Sequence, residues 1–277
     1  MDHPRISLKR VRPWWTRIKP TVHYLMETEA HVYALAIAAS TLLAFYPFVI
    51  VMISICRDVL HWPAAARAVS LALKDFFAGE QGDFIVRNIA AYGIPKLRLT
   101  SVFLLLFTAN GVFEPMEVAL NRAWGVARNR SYVKNQAVSL GLIFACGGLA
   151  LISLMMTALP SGWLSSGGLL QFLERLFFKL AAIPFSILIL FLVYWLLPNR
   201  KIEPRRVVRV AVVVGLILEA CKYVNLVAAP LIQRKFAGDY QFFQHSVTIL
   251  VLSFLVALIV LAGAHWTAKH EQPDPLS

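Results

Sequence analysis

Two groups of polar residues stand inside otherwise apolar sequence. Asn110, Glu114, Glu117 and Asn121 are spaced four, three and four apart, which places all four on one stripe of a helix. Glu219, Lys222 and Asn225 recur at intervals of three, again on one helical face. Residues of this kind could line a polar cavity or pathway, because a charge at the centre of a bilayer costs about 2.5–3.5 kcal/mol and turns towards protein or water. Plainer readings stand beside these. Glu114 and Glu117 could sit at a helix end and pair with Arg122 or a loop cation, and Glu219 with Lys222 could be self-neutralising glue between helices. Four further cations, Arg122, Arg200, Arg205 and Arg206, are candidates for contact with anionic headgroups.

Other chemistry has little support. There is no P-loop, no GxSxG and no HExxH, and the seven histidines (His3, His23, His31, His61, His245, His265, His270) are scattered. Cys56, Cys146 and Cys221 have no metal or disulfide spacing and read as small packing residues. No cofactor, metal or enzymatic activity is expected.

The elements that must carry these residues follow from composition. Of 277 residues, 58% are hydrophobic and 15% charged, with a mean hydropathy of +0.65; an ordinary soluble domain carries about 25% charged residues. About 20 apolar residues span the hydrocarbon core as a helix. Six segments qualify, at about 32–56, 97–120, 136–159, 176–197, 207–232 and 246–266, with breaks at Pro160-Ser161-Gly162, Gly167-Gly168 and Pro198-Asn199. The expected fold is all-α, a polytopic bundle of six transmembrane helices. It divides the chain into a basic segment 1–31, a membrane domain 32–266 and a polar tail 267–277.

The net charge of +12 would suggest nucleic acid as the partner of a soluble protein. Here it is explained by cytoplasmic loops, and no nucleic-acid partner is expected. With six spans, one side of the membrane collects sixteen Lys and Arg and the other ten. The positive-inside rule then puts both termini in the cytoplasm. Trp14 and Trp15 among N-terminal arginines fit an interfacial segment, and the first apolar run is too long for a cleavable signal.

Within the first outer loop, Trp62-Pro63 reads as a helix start and Gly79 as its stop. Val69, Leu73 and Phe76 share one face and Arg67, Ser70 and Lys74 another, an amphipathic helix lying on the membrane or capping the bundle. Leu169–Leu180 is a weaker candidate of the same kind. Ala36, Ser40 and Ala44 in the first span, and Gly141, Cys146, Gly147 and Gly148 in the third, favour close helix packing. Phe45-Tyr46-Pro47 should kink or interrupt the first span.

Ala36-Ile-Ala-Ala-Ser-Thr-Leu-Leu-Ala-Phe-Tyr-Pro-Phe resembles a segment of the YihY/BrkB family of bacterial inner-membrane proteins. Ala119-Leu-Asn-Arg-Ala-Trp-Gly-Val, with Arg130-Ser-Tyr-Val-Lys after it, resembles a second, and Leu197-Pro-Asn-Arg-Lys-Ile with Glu219-Ala-Cys-Lys222 downstream a third. The chain departs from the family pattern at Gly238-Asp-Tyr-Gln-Phe-Phe-Gln-His and at Gly263-Ala-His265. The resemblance implies a six-span protein of the inner membrane, for which transport of lipids or lipopolysaccharide precursors and envelope integrity have been proposed. A ribonuclease label also attaches to the family, and the lack of clustered metal ligands argues against it here. The leading expectation is a permease-like or flippase-like protein for a lipid or other amphiphile, with membrane lipids as partners. The alternative is a non-transporting scaffold that binds envelope proteins.

Overall fold

Inside lipid, only a helix or a closed barrel satisfies every backbone N–H and C=O, so apolar runs of this length become helices. The computed structural model describes residues 25–26, 29–77, 80–91, 99–126, 130–158, 169–240 and 243–269. The expectations placed on Trp14 and Trp15, on Gly79, on the breaks at 160–162 and 167–168 and on the tail beyond 269 lie outside them. Among the described residues there is no strand. The helices are α1 (Ala30–Ser54), α2 (Pro63–Phe76), α3 (Glu80–Ala91), α4 (Leu99–Ala123), α5 (Tyr132–Ala158), α6 (Leu169–Leu196), α7 (Pro204–Tyr240) and α8 (Gln244–Lys269). Five of them are long and apolar enough to cross a membrane, namely α1, α4, α5, α7 and α8. The described apolar run of α6, Leu180–Leu196, is shorter.

The helices pack as a closed circuit in which α4 lies against α1, α1 against α8, α8 against α7, α7 against α6, α6 against α5, and α5 against α4. One large apolar cluster joins five of them at a common end, through Leu120 and Trp124 of the α4 terminus, Leu142 of α5, Tyr194 of α6, Val210 and Val214 of α7 and Val260 of α8. The other end is held by smaller clusters. Val49, Ile53 and Cys56 pack on Ala65 and Val69 of α2, and Phe77 and Ile85 meet Ile249 of α8.

Several local expectations change on contact with the fold. α1 runs through Pro47 uninterrupted and widens eight residues later into a π-turn, Ile55–Val59. Packing of α1 on both α4 and α8 holds the helix where the proline alone would break it. Ala36 is exposed; the close contact is made by Ser40, so near Gly111 of α4 that a Cβ there would lie 2.8 Å from its Oγ. Of the small residues in α5, Gly147 faces Phe48 and Met52, while Gly141 and Gly148 face open space. Leu169–Leu180 is no separate helix but the first part of α6, which runs on through Pro184 to Leu196.

α2 begins at Pro63 and buries Ala65, Ala68 and Val69, leaving Leu71 and Lys74 exposed. It is followed by α3, which the sequence did not announce. Gly82 permits the close turn between them, because a Cβ there would strike the Phe77 carbonyl and the Lys74 backbone. Lys74 Nζ sits 2.6 Å from Asp83 Oδ1, and this bond holds the Asp83 carboxyl below its ordinary pKa.

Candidate functional site

The α4 stripe exists, but its members meet different surroundings. Asn121 and Glu117 are 1% and 2% exposed, Asn110 is partly buried and Glu114 is exposed. The change follows packing. Towards its C-terminus α4 enters the large apolar cluster through Met116, Leu120 and Trp124, whereas further back Phe103 and Phe107 face outwards.

The end of α4 is made by Trp124-Gly125-Val126. Gly125 adopts a left-handed φ of 64°, which glycine takes without strain. The Val126 N–H then donates to the Asn121 carbonyl (2.8 Å) and the Gly125 N–H to that of Arg122 (3.1 Å), so the terminal carbonyls are satisfied within the turn. This cap frees the Asn121 side chain for other work. Its Oδ1 accepts the Asn199 N–H at 2.8 Å, and its Nδ2 donates to Glu117 Oε1 at 3.4 Å.

Arg130 completes the arrangement. Its guanidinium donates to the carbonyls of Leu196 (2.8 Å), Pro198 (3.0 Å) and Leu197 (3.1 Å), at the end of α6. Helix C-termini leave such carbonyls without partners and carry partial negative charge, so a planar cation with several donors suits them. The Arg130 N–H donates to Glu117 Oε1 at 3.4 Å, and Arg200 Nη1 donates to the Trp124 carbonyl at 3.1 Å. Glu117, Asn121, Trp124, Arg130, Asn199 and Arg200 are thus one polar knot binding the ends of α4 and α6 to the start of α5. Three of the segments that carry the family resemblance, at 119–126, 130–134 and 197–202, are tied together by it, while those at 36–48 and 219–222 lie outside it. The role of Arg130 is the part that sequence reasoning missed. Its signal was present in an arginine just before a helix start, with a Pro-Asn helix terminus elsewhere awaiting a cap.

Glu219, Lys222 and Asn225 lie elsewhere. Glu219 and Lys222 form an ion pair at 3.5 Å, with side chains 23% and 41% exposed. α7 is buried at Val207, Val210, Ala211, Val214 and Gly215; from Leu216 to Val227 no residue is fully buried, Lys222 being exposed, Glu219 and Asn225 half-buried, and Leu218 packing against the large apolar cluster. Since α4 and α7 stand across the circuit from each other, the two polar faces do not meet. No hydrogen bond or ion pair links Asn110, Glu114 or Glu117 to Glu219, Lys222 or Asn225 among the described residues.

The four candidate headgroup cations fare unequally. Arg122 lies over the Tyr33 ring, 5.3 Å from its centroid. Arg206 pairs with Glu203 at 3.1 Å, Arg200 joins the knot, and Arg205 is exposed. No group of three or more His, Cys, Asp or Glu side chains is placed to hold a metal among the described residues.

Comparison with known proteins gives a family for this geometry. The family profile described as virulence factor BrkB matches residues 21–275. A UPF0761 membrane protein of Actinobacillus pleuropneumoniae serotype 5b (strain L20) is 27% identical over 173 residues, 59% of this chain and 60% of the relative. The chain therefore spans about three fifths of the length of that curated relative. No solved structure matches the chain. With the profile extending over nearly all of the sequence, including every segment of the polar knot, the chain belongs to the BrkB/YihY family of membrane proteins.

Proposed function

We propose that the protein crosses the bacterial inner membrane six times, with both termini cytoplasmic, and moves a lipid or other amphiphile between leaflets. One observation carries this reading. The Glu219–Lys222 pair, with Asn225 a turn further on, sits where no residue of α7 is fully buried yet lies within its membrane-spanning segment. Bare hydrocarbon is a costly setting for such groups. A headgroup resting there while its chains stay in lipid supplies polar partners without leaving the bilayer. Pairing with Lys222 also reduces the repulsion that Glu219 would exert on an anionic headgroup.

Two further points support the topology. α6 has 28 residues and closes the circuit as a sixth long helix, although its described apolar run is short. The exposed Arg205 and the basic residues around the knot stand at one end, where a cytoplasmic surface with anionic lipids would attract them. α2 and α3 would then cap the opposite end.

A second reading, a scaffold for envelope proteins, is favoured by the use of Glu117 and Asn121 in tying helix ends together rather than lining a path. Lipid flux in proteoliposomes separates the two. Fluorescent phospholipids are followed by quenching in the outer leaflet, with Glu219→Gln/Lys222→Gln and Glu114→Gln variants alongside. Transport predicts translocation above protein-free vesicles and its loss in the α7 double variant with the fold intact. Translocation no faster than in protein-free vesicles would refute autonomous phospholipid transfer and favour the scaffold.

A further inference from the structure

The junction of α4 and α5 holds more buried oxygen than the knot uses. Glu117 Oε1 accepts its two long hydrogen bonds, but Oε2 is buried with no partner. Ser139 is 1% exposed, and its Oγ has no partner either. Gln136 Oε1 and Asn135 Oδ1 are buried and unpartnered in the same way.

These atoms belong to two helices in contact. Glu117 lies about 60–100° round α4 from Leu120 and Met116, which pack in one cluster with Val138 and Leu142 of α5. Asn135, Ser139 and Leu142 are spaced four and three apart and so share the α5 face turned to that cluster. The backbone of Arg130, which holds Glu117, is five residues before Asn135 in the first turns leading into α5. The Arg130 guanidinium is committed to the α6 carbonyls, and its only bond to the Glu117 carboxylate is through the main chain.

We propose that Glu117, Ser139 and Gln136, with Asn135 beside them, bind a single monovalent metal cation. The donor set is oxygen, which suits a hard cation. One carboxylate with neutral oxygens balances a single positive charge. A divalent ion would keep a net charge in a low-dielectric interior, and sites for such ions recruit further carboxylates or waters. A cation would also relieve the cost of leaving these acceptors buried and unpartnered, which is greatest for the charged carboxylate. Trp124 Nε1 is also buried without a partner, but as a donor about two turns along from Glu117 it cannot ligate a metal. The site could supply a coupling ion to the transport reading but does not depend on it.

Binding is tested on the full-length protein in detergent by thermal unfolding. Lithium, sodium or potassium chloride replaces choline chloride at constant ionic strength. The expected result is a saturable rise in melting temperature with one of the alkali cations, about 5 °C at hundredfold excess over its dissociation constant. Ser139→Ala and Gln136→Leu should lose that shift while keeping the wild-type helical signal. They keep the test open even where Glu117→Gln does not fold. Equal melting in all four salts, a shift retained in Ser139→Ala, or a response to pH or divalent ions alone would overturn the proposal. Flux is not read, so a protein that binds the cation but moves no lipid upholds this site and refutes only the transport reading.

Discussion

Arg130→Gln should loosen the junction of α4, α5 and α6 more than any other single change in the knot. The substitution removes a guanidinium that donates to three terminal carbonyls at 2.8, 3.0 and 3.1 Å. Hydrogen bonds to a charged group contribute about 1.5–3 kcal/mol each. Arg130 is partly exposed, so water takes over some of the released carbonyls, and the net cost should be about 3 kcal/mol rather than the full sum. Arg130→Lys keeps the charge beside the α6 C-terminus, a term of about 0.3–1 kcal/mol, but lacks the planar fork. It should lose about 2 kcal/mol. Thermal unfolding in detergent should show Arg130→Gln melting about 6 °C below wild type, with the lysine variant between them. Hydrogen exchange at residues 196–200 should rise in the same order. A glutamine variant that melts within about 1 °C of wild type would refute the claim that the knot holds these helix ends. A lysine variant as stable as wild type would show that charge alone matters.

Two other changes probe packing and pH. Gly263→Ala drives a methyl into Val214 and to 2.8 Å from the Tyr194 hydroxyl, which donates to the Val260 carbonyl. Overpacking of this kind costs about 1–3 kcal/mol, whereas Gly141→Ala, facing open space, should be neutral or stabilising by thermal melting. The α2–α3 turn should weaken in acid. Because the folded pKa of Asp83 is depressed by Lys74, its contribution is complete above the unfolded value of about 3.9 and is lost as pH falls through the folded one. Hydrogen exchange in α3 should therefore accelerate below about pH 4 in wild type but not in Asp83→Asn. Acceleration that survives the substitution would place its cause elsewhere.

The helical architecture was legible because long apolar runs in lipid have one backbone solution, and Pro63 and Pro198-Asn199 do stand at helix boundaries, although α7 runs on to Tyr240 past its expected end near 232. The Asn110–Asn121 stripe was legible for the same periodic reason. What periodicity could not give was which turn of the stripe enters the core. Glu114 and Glu117 are three residues apart, yet one is exposed and the other buried, because that depends on where α5 and α6 arrive. α3 was hidden since its 12 residues carry charges and a glycine, and only contact with α2 and α8 favours the helix. The uninterrupted passage of α1 through Pro47 is another tertiary override of a local rule. The capping role of Arg130 joins residues more than sixty positions apart, a distance over which no spacing argument operates.

The proportions of α7 have a mechanical consequence. Its 37 residues make a rod about 55 Å long, against a hydrocarbon core of about 30 Å. The rod is clamped near one end, between Val207 and Gly215, where Gly215 lets Ile187 of α6 press against its backbone. From that clamp to Tyr240 is a lever arm of about 37 Å. A rotation of about 8° at the clamp carries the tip about 5 Å, and carries Glu219 and Lys222, close to the fulcrum, by roughly a quarter of that or less. If α7 moved as one rod through Pro230, a small rearrangement where α6, α7 and α8 meet would carry its far end several times further than its charged pair.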